Sequence, residues 1–282
     1  MSTFLRNNLP IVLFALILGS CVNLKHVGEF SKTSVESIDE YDALPISFLQ
    51  ICVEDCEQKH IQNLQIHDTS CDCKQNKKAD SITQVIFNGV RDYLIGLTDI
   101  SQNKLTNYQT DDLTNALGTG DFGPLKLAQE DVNAFSKVST VILRAFTDGY
   151  RRNKIKAYVT DAHEPLLKLL RFLELNLTGN MKGKLEVQKS SLKNFYFDFV
   201  RDKNLSVYER TKFAEDYFQS IAEIEKKQKE LDVFAMTLQH IAEGHKTLKV
   251  NIDNLTDKKV KGQLARYASR LKNIASSTRE IN

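Results

Sequence analysis

Leu231, Phe234, Leu238, Ile241, His245, Leu248, Ile252 and Leu255 follow one another at alternating steps of three and four residues. That alternation lines them up on one seam of an α-helix, and such a seam has to be covered by a second helix. The covering helix stands next in the sequence. After a turn at "DNLTD", with Thr256 as the expected N-cap, Val260, Leu264, Tyr267, Leu271 and Ile274 repeat the pattern. The two form an expected antiparallel coiled-coil hairpin over residues 206–282. Its first helix opens at Ser206-x-x-Glu209, a capping box in which each residue bonds the other's backbone amide. Extended to about Asp253, that helix spans about 70 Å at ~1.5 Å per residue.

Helical spacing recurs upstream. Ile82, Val85, Ile86, Val90, Tyr93, Leu94 and Leu97 predict a helix over 80–100, with Asp80 as N-cap. Val132, Phe135, Val138, Ile142, Ala145 and Phe146 give another from Ala128 to Arg151, where Arg151, Arg152 and Lys154 complement the C-terminal dipole. Leu166 to Leu177 is so rich in leucine and phenylalanine that Lys168, Arg171, Glu174 and Asn176 look scattered, as in a helix central to a bundle. Gly179 and Gly183 punctuate the chain before "LEVQKSSLKNFYFDFV", and Ser34 to Leu44 reads as a weak acidic helix. Only four prolines and twelve glycines interrupt 282 residues, tryptophan is absent, and alternating β-branched runs are few. The expected class is all-α: an elongated helical bundle ending in the long hairpin.

The N-terminus has a different character. Arg6 and two asparagines precede an apolar run from Ile11 to Leu18, the layout of a secretory signal peptide and too short for a membrane span. Leu18-Gly19-Ser20-Cys21 resembles the lipobox of bacterial lipoproteins, with Gly19 standing where alanine or serine is commoner. The resemblance covers the first 21 residues. It implies that residues 1–20 are removed and that Cys21 takes diacylglycerol and palmitate, anchoring the chain in the membrane. Valine rather than aspartate at position 22 favours the outer membrane, facing the periplasm. Residues 23–33 read as a flexible tether, so 21–45 form the lipidated N-terminus, tether and weak helix, and 46–282 the helical-bundle domain.

The remaining cysteines are Cys52, Cys56, Cys71 and Cys73. An exported chain meets an oxidising compartment, where an even set reads as disulfides. Folding residues 46–76 as a hairpin brings Cys56 to Cys71 and Cys52 to Cys73. Crossed and purely local pairings are the alternatives. A zinc site using His60 and His67 is another, weakened by the short Cys71-x-Cys73 spacing.

Chemistry is otherwise sparse. A net charge of +2 gives no nucleic-acid footprint. "GTGDFGP" spells Gly-x-Gly-x-x-Gly, but it follows a predicted helix and meets Pro124 at once, so it reads as a loop. In "HIAEGH" the histidines are five apart, which turns His240 and His245 away from one another instead of toward one metal. His163 has no partner visible in the sequence, and no Gly-x-Ser-x-Gly elbow appears. The basic run Lys258, Lys259, Lys261, Arg266, Arg270 and Lys272 reads as a solvated face rather than a site for anionic lipid or cell-wall polymer. No catalytic residues, metal or cofactor are expected. The leading expectation is a lipid-anchored, non-enzymatic binding or scaffold module that docks an envelope protein through the C-terminal hairpin. A membrane-acting bundle of pore-forming or remodelling type is the alternative, resting on residues 166–177 and the hairpin. An enzyme whose carboxylates meet only in the fold stands third.

Overall fold

The computed structural model describes residues 24–65, 70–102, 125, 127–147 and 151–281. These form helices, with no strand among them: α1 (Lys25–Ile38), a 3₁₀ turn (Asp39–Ala43), α2 (Phe48–Gln62), α3 (Lys74–Gln102), α4 (Gln129–Thr147), α5 (Arg151–Leu175), a π-helical turn (Asn176–Met181), α6 (Lys182–Arg201), α7 (Val207–Val250) and α8 (Lys258–Ile281). The chain is an all-α bundle. One continuous apolar core runs from Val27 on α1 to Leu271 on α8.

Two long helices make the spine. α5, the π turn and α6 run on without a break, and α7 lies antiparallel along the whole length. Lys249 Nζ reaches Thr160, Gln239 Nε2 reaches Glu174, Lys182 meets Asp232, Lys189 meets Glu225, and the Tyr196 ring packs near that of Tyr217. Gly179 and Gly183, expected to punctuate the chain, instead sit on the exposed side of this rod with open space around them. The π turn absorbs the local irregularity without ending the helix. Pro165 also lies inside α5, so His163 is mid-helix.

The expected C-terminal hairpin is therefore only part of the pairing. Ser206 caps α7 through the capping box. Leu231, Phe234, Leu238, Ile241 and Leu248 are buried, as are Val260, Leu264 and Leu271 of α8. But α8 has 24 residues against the 44 of α7 and covers only its C-terminal half. The N-terminal half pairs with α6. The seam that begins at Leu231 is a bundle core shared with α1 and α5, not a free coiled coil. Asp257, not Thr256, caps α8: its carboxylate accepts the Lys259 amide.

The tether reading fails at Lys25. Residues 25–38 are helix α1, with Val27, Phe30, Ser31, Ser34 and Ile38 buried. Ser31 and Ser34 are polar, yet they donate their hydroxyls to the carbonyls of Val27 and Phe30 one turn back. Satisfied in that way, a small polar side chain can be buried. The small residues let α1 approach α3 closely, with Thr98 bonding Ser31.

Two helix ends also move. α3 starts at Lys74, and Asp80 caps its neighbour: both carboxylate oxygens accept amides, from Phe48 and Leu49, at the start of α2. α4 stops at Thr147, which puts Arg151, Arg152 and Lys154 in the first turn of α5. Residues 1–23, the Gly-rich stretch 118–124 with the helix predicted just before it, and His67 lie outside the described residues.

Candidate functional site

The spine outruns the body of the bundle. α2 braces it at Gln188, whose amide donates to the Ile51 carbonyl, and at Ser191, which accepts from Gln62. Beyond that brace α6 and α7 continue as a two-helix arm to the Asp202–Ser206 turn. Helix pairs this thin need large side chains to hold together, and the sequence supplies them. Phe195, Tyr196, Phe199, Phe213 and Tyr217 pack ring on ring, with centroids 4.8–6.3 Å apart along the chain of contacts. A second set faces outward: Phe197 is 48% exposed, Phe218 68% and Tyr208 78%. The Arg201 guanidinium lies 4.2 Å over the Phe197 ring. Tyr196, Phe197, Val200, Ala214, Tyr217 and Phe218 line a mainly apolar cleft of about 260 Å³. Exposed aromatics grouped around such a cleft have the composition of a protein-binding hot spot.

The base of the arm is stapled. Disulfides join Cys52 to Cys73 and Cys56 to Cys71, the nested order of a hairpin. Asn76 donates to the Phe48 carbonyl, and Lys227 of α7 pairs with Glu54 of α2 at 2.6 Å. His60 Nε2 sits 3.5 Å from Cys56 Sγ, and Cys56, His60 and Cys71 are close enough to share an ion. Both sulfurs of that set are engaged in the disulfide, which removes the thiolates a zinc site would need.

Inside the body runs a chain of polar rings. His245 of α7, fully buried, has Nε2 2.7 Å from the Tyr93 hydroxyl of α3 and Nδ1 3.1 Å from Nδ1 of His163 on α5. Tyr158 stacks flat on Tyr93, with centroids 4.7 Å apart, and donates its hydroxyl to the Tyr93 carbonyl. Donor accounting sets the direction. Tyr93 donates to His245 Nε2, His245 Nδ1–H donates to His163, and the outer His163 nitrogen turns its proton toward Glu164, 3.9 Å away. The reverse direction strands the Tyr93 proton in the core. Burial holds His245 neutral, its pKa pushed down to about 3, with the neighbouring His163 and Lys249 adding to the effect. His163 is lowered by burial as well, and Tyr93 is raised for the same reason. The result is three neutral groups fixing α3, α5 and α7 in register. The apolar cleft of the arm is lined by other residues.

The other sequence candidates separate. His240 turns outward to Glu243 at 3.3 Å while His245 turns inward, so the two share no site. Residues 166–177 are buried at Leu166, Leu169, Leu170, Phe172, Leu173 and Leu177, and Lys168, Arg171 and Leu175 make one exposed stripe. Among the described residues no helix is long and apolar enough to cross a membrane. Sequence reasoning missed the His163–His245 contact because it joins positions 82 residues apart. It also passed over the arm, although "NFYFDFV" and "YFQS" carried the aromatic signal. No family model, no curated protein and no solved structure matches the chain.

Proposed function

We propose that the chain is a lipid-anchored, non-enzymatic docking module of the bacterial envelope. Cys21 holds it to the outer membrane on the periplasmic side, and a protein partner binds at the arm, through the first helix of the C-terminal hairpin. The observation that carries the reading is the placement of the exposed aromatics. They lie along the arm, from the cleft at Phe218 to Tyr208 in the first turn of α7, on the half of α7 opposite Val250. Forty-four helical residues separate the two ends, about 66 Å at ~1.5 Å per residue. The Lys25 end of α1 lies by Leu255, just past Val250, because His26 bonds the Leu255 backbone. An anchor joined to α1 therefore leaves the aromatic arm on the side of the molecule away from the anchor. The membrane-acting alternative loses its segment, since the leucines of 166–177 fill the core and burial of each is worth about 1.5–3 kcal/mol.

The test places a photo-crosslinking residue at Phe218 or Tyr208 in cells, with Arg266 on the exposed face of α8 as the comparison. Adducts to one envelope protein from the arm positions, and none from Arg266, are expected. Adducts from Arg266 alone would refute arm docking. Fatty-acid labelling of the wild type and of Cys21→Ser tests the anchor separately: label that survives the substitution refutes it.

A further inference from the structure

The end of the bundle opposite the arm gathers the first turns of α1, α5 and α8 and the last turn of α7. Lys156 on α5 bonds Asp253 beyond α7, Lys249 bonds Thr160, and Lys261 lies close enough to His26 to disfavour its protonation. The sequence therefore brings Lys156, Lys246, Lys249, Lys258, Lys259 and Lys261 to one end. Carboxylates are present there too, and each offsets one of these charges. Glu29 pairs with Lys25 at 3.6 Å, Asp253 with Lys156 at 2.6 Å, and Asp257 caps α8. Lys246, Lys258 and Lys259 are exposed, and Val250 stands among them 80% exposed, an apolar side chain at the rim of a basic face.

The anchor lies close to this face in sequence. Leu24 packs against the core and α1 begins at Lys25, so four residue steps separate Cys21 from a helix fixed in the bundle. Fully extended, four steps reach about 14 Å. A bilayer holding Cys21 has no room to stand away from this end.

We propose that this lysine-rich end lies against an anionic phospholipid surface. Lys249 and the Lys258–Lys261 turn meet headgroup phosphates, Val250 enters the interfacial layer, and the arm is held pointing away from the membrane. The inference rests on Cys21 as the anchor. Each lysine near an anionic bilayer contributes about 1 kcal/mol, so the set adds orientation to the acyl anchor without replacing it.

The test uses the full chain carrying Cys21→Ser, so that no acyl group contributes, with vesicles of phosphatidylcholine alone or mixed with phosphatidylglycerol. The quantity read is the ratio of binding to the two vesicle types, to which the leader's apolar run contributes little. Expected are a clear preference for phosphatidylglycerol that fades with added salt, and a loss of that preference by roughly tenfold or more in Lys258→Glu/Lys259→Glu. The thermal transition of the variant should match that of its parent, since both side chains are exposed. Equal binding to the two vesicle types overturns the proposal, as does a preference that the double substitution leaves intact. Retention on purified cell-wall polymer without a phosphatidylglycerol preference also overturns it, assigning the lysines to a polymer. Acyl labelling of the wild type in cells is read apart from these. Label with indifferent vesicles removes the surface and keeps the anchor; vesicle preference without label removes the anchor.

Discussion

The two halves of α7 share one backbone geometry and differ in everything packed around them. The C-terminal half is enclosed by α1, α5 and α8. His245 and Leu248 are fully buried there, and Gly244 is pressed so closely by the Phe30 ring that a Cβ at that position would run into it. The N-terminal half has α6 for company, braced at its base by α2, and it leaves Tyr208 and Phe218 largely in solvent. Enclosed core and exposed aromatics are thus carried on opposite halves of a single helix. Substitutions in the C-terminal half should unfold the molecule, and those at the outward aromatics of the N-terminal half should leave it folded and test the proposed docking.

The sharpest break comes from Leu170→Asp. Leu170 is 2% exposed on α5, beside the enclosed half of α7, and a carboxylate there has no partner. A loss above about 4 kcal/mol is expected, a large share of the ~5–15 kcal/mol by which a folded protein is ordinarily stable. Circular dichroism checks it: a folded variant with a transition near the wild type would show that the body is not the single core described. Next come the staples. Their loops close over 21 and 15 residues, and removing either pair by serine substitution should cost about 3 kcal/mol. Because α2 braces the arm, cleavage of the arm by added protease should rise in step. Peptide mapping without reductant that finds four free thiols would sink this prediction.

Acidity distinguishes the halves more gently. His245 and His163 both titrate below their ordinary value in the folded chain, so the unfolded chain takes up protons first as pH falls. Their contribution is complete above about pH 6.5 and shrinks on acidification, by at most about 1.4 kcal/mol per pH unit for each histidine. The decline from His245 continues until its folded form protonates near pH 3. Unfolding curves between pH 7 and 5 should therefore show a loss of about 2–4 kcal/mol, reduced but not abolished in His163→Gln because burial is the larger cause at His245. A profile that is flat in the wild type contradicts the neutral chain.

Legibility followed the range of the interaction. The seam from Leu231, the capping box at Ser206 and the buried leucines at 166–177 are set within one helix, and their spacing alone declares them. The nested cysteine order lay one hairpin away and could be posed as one of several pairings. Asp80 shows the limit: its spacing marked it as a cap, yet the amides it accepts belong to the next helix in space. The partners of His163 and of the N-terminal half of α7 depended on which helices lie side by side, which periodicity does not encode. α1 was misread for a different cause. Its hydroxyls satisfy themselves on their own helix, so a composition that looks solvated is able to sit in the core.

The smallest effect on stability is expected where the effect on docking is largest. Phe218 is 68% exposed and Tyr208 78%, so replacing either with serine returns little apolar area to water. Each should shift stability by no more than about 0.5 kcal/mol, the usual range for surface positions. Phe213 makes the internal contrast on the same helix. Its ring packs on Phe199 with centroids 4.8 Å apart, and truncating it to alanine opens the arm itself. That change should loosen the arm, seen as local protease sensitivity, while the body unfolds at its usual temperature because α6 and α7 remain packed below the brace. If the arm is the docking surface, Phe218→Ser and Tyr208→Ser abolish partner crosslinking with an unchanged transition temperature, and Phe213→Ala abolishes it together with arm protection. Crosslinking that persists in all three variants would leave the outward aromatics without a binding role and return the question of the partner to the faces of the body.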